Sequence, residues 1–108
     1  MPYDEELAER IRALVADNPG VTERKMFGGI AFMFRGNMFC GIVRSDLMAR
    51  VGPDAYDYAL SQPHTRPMDF TGRPMKGMLY VAPTGYTGKG LATWVDRTLT
   101  FVEKLPPK

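Results

Sequence analysis

Apolar side chains recur at Leu7, Ile11, Leu14 and Val15, the spacing of one helix face. Asp4 stands where a carboxylate accepts the free N–H groups of a first turn, and Glu5 and Glu6 sit where the helix dipole favours negative charge. Asn18-Pro19-Gly20 interrupts the pattern, so a helix of about 14 residues is predicted. Residues 22–43 then read as strands. Ile30-Ala31-Phe32-Met33-Phe34 and Phe39-Cys40-Gly41-Ile42-Val43 are two apolar runs with a short turn between them. Gly36-Asn37 suits a two-residue type II′ loop, with glycine where φ must be positive. That loop predicts Phe34 opposite Phe39, Met33 opposite Cys40, Phe32 opposite Gly41 and Ile30 opposite Val43. Alternation then places Ile30, Phe32, Phe34, Phe39 and Val43 on one face. Ala31, Met33, Met38, Cys40 and Ile42 fall on the other. Gly41 leaves room for the Phe32 ring to lie across the backbone.

Leu47-Met48-Ala49-Arg50-Val51 continues as a short strand, and Gly52-Pro53 opens a short helix with Tyr56, Ala59 and Leu60 on its inner side. Residues 61–75 read mostly as loop, with a brief extended piece at Met68–Phe70. Gly77–Val81 is a strand stopped near Pro83. A last helix spans about 88–104, with Leu91, Trp94, Val95, Leu99, Val102 and Leu105 at helical spacing. The order α-β-β-β(-β)-α-β-α with tight hairpins predicts an α+β two-layer sandwich, a small antiparallel sheet with helices packed on one face. The whole chain, 1–108, is expected to form one domain.

Such a sandwich leaves one sheet face to water, and that face ordinarily reads polar. Neither face of the central hairpin does. The aromatic face is assigned to the helices, so Ala31, Met33, Met38, Cys40 and Ile42 need a second cover. A homodimer burying this face is the expectation. The alternative is a cover from the same chain, by the 61–75 loop or the last helix.

Composition narrows the function. The chain is 24% charged with a net charge of +2, too mild a balance to imply a nucleic-acid partner by itself. No apolar run approaches the roughly 18 residues of a membrane span. The acidic start, Met1-Pro2-Tyr3-Asp4-Glu5-Glu6, does not resemble a secretory signal. With a single cysteine, no internal disulfide forms, and a cytoplasmic location is expected. Cys40 is also the only candidate thiol nucleophile, and it lies mid-strand among apolar residues. The single histidine, His64, falls in a Pro-containing loop. One of each cannot supply a structural metal site, so no metal, cofactor or catalytic residue is expected. The eight methionines are spread over strands and read as core or adaptable interface. Thr84-Gly85-Tyr86-Thr87-Gly88-Lys89-Gly90 has a loose phosphate-loop look without P-loop spacing.

Basic residues concentrate in the central region: Arg24, Lys25, Arg35, Arg44, Arg50, Arg66, Arg73 and Lys76. Solvated sheet edges explain most of them, because edge charges block strand-to-strand aggregation. Arg50, Arg73 and Lys76 are the candidate binding surface, because Arg73 and Lys76 fall in a loop and packing explains none of the three. Direct nucleic-acid binding by the basic residues, or a small-molecule or phosphate site near Lys76, stands as the alternative to a protein-interaction role.

Lys25-Met26-Phe27-Gly28-Gly29, Phe32-Met33, Gly36-Asn37-Met38 and Gly41 together resemble the N-terminal domain of the TfoX/Sxy family of bacterial competence regulators. Leu47-Met48, Arg50-Val51-Gly52, Thr71-Gly72-Arg73-Pro74-Met75-Lys76-Gly77, Trp94-Val95 and the closing Leu105-Pro106-Pro107-Lys108 fit the same pattern. The resemblance covers nearly the whole chain and implies a fold similar to secretion-chaperone domains, which are often dimeric. It implies a regulatory, non-enzymatic role in transcription through a protein partner, with no catalytic residues to carry over. The second, helical C-terminal domain of full-length family members has no counterpart here, so a stand-alone N-terminal domain is expected.

Overall fold

The computed structural model describes residues 3–26, 28–68 and 76–107. Helix α1 spans Glu5–Leu14, followed by strands β1 (Val21–Met26), β2 (Gly29–Phe34), β3 (Asn37–Val43) and β4 (Asp46–Arg50). Helix α2 (Tyr56–Leu60) and strand β5 (Thr65–Pro67) lead to β6 (Met78–Val81). A 3-10 turn at Pro83–Gly85 precedes α3 (Gly90–Val102). The six strands form one antiparallel sheet in the order β1-β2-β3-β4-β6-β5. This is the α+β two-layer sandwich that the hydrophobic pattern predicts.

Asp4 caps α1, its side chain accepting from the Leu7 N–H at 3.1 Å. Leu7, Ala8 and Ile11 are buried, but the helix ends at Leu14, which is 47% exposed and leaves the expected stripe. Arg12 donates from Nε and Nη2 to the two carboxylate oxygens of Glu23, both at 2.8 Å, and so ties α1 to the edge strand β1. Helix α3 lies against β3 and β4 and buries Leu91, Trp94, Val95, Thr98 and Val102. The Trp94 indole N–H donates to the Gly85 carbonyl at 3.2 Å and fixes the turn before the helix. Among the described residues no helix is long and apolar enough to cross a membrane.

The central hairpin departs from the expected register. Phe34 pairs with Asn37, so the loop is Arg35-Gly36, with φ of 51° and 87°. Two positive φ values make a type I′ turn, whose twist matches the flanking strands. Met33 pairs with Met38, yet Phe32 pairs with Cys40, which leaves Phe39 as the extra residue of a β-bulge. One extra residue reverses the side of every position beyond it. Phe39 and Cys40 both enter the core beneath the helices, and Ile42 follows them there beside Ile30 and Leu47. Val43, expected on that side, packs on the opposite face. Gly41 also changes role. It pairs with Ala31 and Met48, and a Cβ on it would stand 2.5 Å from the Met48 methyl. The space it leaves is filled by Met48 rather than by Phe32.

A short strand forms at Thr65–Pro67, and the extended piece expected at Met68–Phe70 lies, beyond Met68, outside the described residues. Pro67 is tolerated there because β5 is an edge strand, where a missing N–H breaks no central ladder. Residues 69–75, Arg73 among them, lie outside the described residues.

Candidate functional site

Two surfaces gather the residues singled out in the sequence. The first is the sheet face opposite the helices. One register row crosses all six strands there: Arg24, Ala31, Gly41, Met48, Tyr80 and Arg66. Both ends of the row are arginines on edge strands, and its middle is small or apolar. Met48, Met68 and Met78 are buried in a cluster on this face, with Met38, Val43 and Tyr80 half-buried around them. Met33 is half-buried beside Met38, its pairing partner. Thus Ala31, Met33 and Met38 belong to the face as expected. Cys40 and Ile42 do not, because the bulge at Phe39 turns them into the core.

Part of this face is covered from within the chain. Met68, which directly follows β5, is 1% exposed and packs against Met48 and Met78. Met68 therefore supplies a cover over the β4 and β6 side. Over β2 and β3, Met33 and Met38 keep part of their surface accessible. Unbranched thioether side chains adapt to different partners, which suits them to an interface.

The second surface lies where β4 ends. Arg50 pairs across the sheet with Met78, and Lys76 sits in the turn that enters β6. The two cations line one cavity of about 260 Å³, walled by Met38, Gly52, Met78 and Phe101. Arg50 is held in place: Nη1 donates to the Met38 carbonyl at 3.3 Å, and its guanidinium lies 5.4 Å from the centroid of the Phe101 ring. The floor is glycine-built. The Gly77 carbonyl accepts from the Val51 and Gly52 N–H groups at 2.8 and 3.1 Å. Gly52 has φ +86°, and a Cβ there would stand 2.4 Å from the Phe101 ring. The structure thus brings together Arg50 and Lys76 of the candidate surface; Arg73 lies outside the described residues.

A larger cavity of about 370 Å³ lies on the other side of Phe101, between α2 and α3, with Val51, Ala55, Tyr58 and Ala59 among its walls. Neither Phe101 nor Tyr58 is prominent in the sequence reading. The available signal is that Phe101 continues the stripe at its edge, seven residues beyond Trp94, and is apolar.

The other candidates resolve into structure. Cys40 is fully buried in the core, and desolvation pushes its thiol far above its ordinary pKa. A neutral buried thiol is a poor nucleophile. An aromatic disulfide reagent is therefore expected to label Cys40 only as fast as the protein unfolds; rapid stoichiometric labelling without denaturant would contradict this placement. His64 is exposed in the turn before β5, with φ 65°. In the 84–90 loop, the carbonyls of Tyr86 and Gly88 accept from Arg10 at 3.2 and 3.1 Å, and the Tyr86 hydroxyl donates to the Ser45 carbonyl at 2.5 Å. These bonds hold the loop as a brace between α1, the sheet and α3. Among the described residues no group of three or more His, Cys, Asp or Glu is placed to hold a metal ion.

The basic residues of the sheet are dispersed. Arg35 occupies the β2–β3 turn and Arg44 the β3–β4 turn, at opposite ends of β3. Arg66 donates to Asp46 at 2.7 Å and stacks 4.6 Å from the Tyr80 ring centroid.

A search of the curated proteins and of the solved structures gave no match. The family model described as the TfoX N-terminal domain matches residues 13–102, which takes in every strand, α2, α3 and both surfaces described above. The chain belongs to the TfoX N-terminal domain family.

Proposed function

We propose that the protein is a non-enzymatic, cytoplasmic interaction domain of transcription regulation, of the competence-regulator type, that works as a homodimer through its methionine face. One observation carries the reading: the face opposite the helices has accessible methionines at its centre and an arginine at each edge. Sheet faces left to water are ordinarily polar, and apolar ones mark interfaces. Family membership supports a regulatory role, and the burial of Cys40 argues against thiol catalysis. The dispersed cations favour a protein partner over a nucleic acid, whose phosphates call for a continuous basic stripe.

Light scattering on a sizing column tests the reading. At concentrations on the order of tens of micromolar, the mass is expected to be twice that of the chain. Met38→Glu, which places a charge on the accessible part of the face, is expected to return the mass to 12.1 kDa while leaving the circular dichroism unchanged. A wild-type mass of 12.1 kDa under those conditions would overturn the homodimer.

A further inference from the structure

We propose that the two cavities meeting at Phe101 form a binding site for a small organic anion, a carboxylate or phosphate head carrying a ring-sized apolar body. The site adjoins the methionine interface, sharing Met38 and Met78 with it, and its test reads ligand binding rather than oligomeric state.

The cavities share Phe101 and are lined by consecutive stretches of the β4–α2 connection: Val51, Asp54 and Ala55 on one side, Gly52 and Pro53 on the other. They differ in charge. Among the described residues the smaller is lined by Arg50 and Lys76 and by no acid. The larger carries Asp54 and Asp96 against Arg97 and Lys104, so its charges balance, and its remaining walls are largely apolar. An anion is therefore drawn to one end and an uncharged body to the other. The larger volume, about 370 Å³, falls within the range of small-molecule sites.

Arg50 is preorganised for the head group. A guanidinium has five N–H donors, and the Met38 carbonyl takes one of Arg50's. Stacking on Phe101 fixes the plane of the rest. Neither Arg50 nor Lys76 has a carboxylate partner among the described residues. Holding a cation in a fixed orientation without a counter-ion lowers the entropy lost when an anion arrives. The backbone contributes as well. Positive φ at Gly52 and Gly77 lets the two segments meet, and the absence of a Cβ at Gly52 gives the Phe101 ring its seat. Phe101 thus presents a ring to both compartments, with Arg50 stacked against it.

Calorimetric titration with four probes tests the site. Phenylacetate and phenyl phosphate combine head and body. Phenethyl alcohol has the body without the charge, and inorganic phosphate has the charge without the body. Saturable binding of at least one of the first two is expected, with each control about tenfold weaker or worse. The tighter of the two identifies the head group. Lys76→Ala, at an exposed position, is expected to weaken binding about tenfold. Ala55→Trp, also at an exposed position, fills the apolar compartment and is expected to abolish binding. Both variants are checked for an unchanged unfolding midpoint. The proposal is overturned if neither phenyl ligand binds, if inorganic phosphate binds as tightly as phenyl phosphate, or if binding survives both substitutions.

Discussion

Replacing Phe32 with alanine is expected to destabilise the protein by about 3–5 kcal/mol. Phe32 lies near the middle of β2 and is fully buried beneath the helices. Its ring centroid is 6.5 Å from that of Phe39, with the planes inclined at 50°, a tilted aromatic contact. Alternation places Phe39 on the core side with Phe32, and the bulge turns Cys40 into the same core beside them. Truncation removes the ring's burial and leaves a cavity that a six-stranded sheet cannot close by collapse. A loss of this size is a large part of the 5–15 kcal/mol typical of a whole domain. Urea unfolding followed by the single tryptophan, Trp94, measures it directly. Leu14→Ala is the control: that side chain is 47% exposed, and its removal is expected to change stability by less than about 0.5 kcal/mol. Equal effects at the two positions would contradict the register described here.

Gly29→Ala is expected to be comparably severe, at about 3 kcal/mol or more. A Cβ on Gly29 would lie 1.9 Å from the Ile42 carbonyl oxygen and 3.3 Å from the Val43 Cα. Those are backbone atoms of the neighbouring strand, so no rotamer change relieves the overlap. Strands β2 and β3 would have to part at the centre of the sheet. The adjacent Gly28 makes a sharp comparison. It has φ +73° and nothing within 4 Å of its would-be Cβ, so Gly28→Ala costs only the left-handed strain, about 1–2 kcal/mol. The same unfolding experiment on both variants separates steric overlap from backbone strain. A Gly28 variant less stable than the Gly29 variant would overturn this reading of the β1–β2 connection.

These paired glycines show where sequence reasoning stops. Gly28-Gly29 announces a turn or bulge, but nothing local distinguishes a glycine chosen for φ from one chosen for close approach. Signals carried within a few residues were legible: the Asp4 cap, the helical stripe of α3, the hairpins and the α+β architecture that follows from them. The bulge was not. Both parities of the β2–β3 segment are apolar, so no polar residue marks the solvent side, and a shift by one leaves the hydrophobic pattern unbroken. The turn differs from the expected one for a related reason. Gly36-Asn37 fits a known loop, whereas the chain uses Arg35-Gly36 and places an arginine at positive φ, which non-glycine residues seldom adopt. The pairing of β4 with β6 is what brings Arg50 to Lys76, and no short-range pattern encodes a contact across that separation. Phe101 belongs to the same class, since its place between two cavities is set by how α3 crosses the sheet.

If the methionine face is an interface between two copies, its methyl groups are shielded only in the dimer. Methyl NMR with a soluble paramagnetic agent tests it most directly. Methionine and leucine methyls are labelled and their relaxation is followed as the protein is diluted. The Leu14 methyls, on the exposed end of α1, serve as the accessible reference. The Met33 and Met38 methyls are expected to be shielded at high concentration and to become accessible on dilution, while Leu14 stays unchanged. Relaxation of Met33 and Met38 that is the same at every concentration would contradict the account.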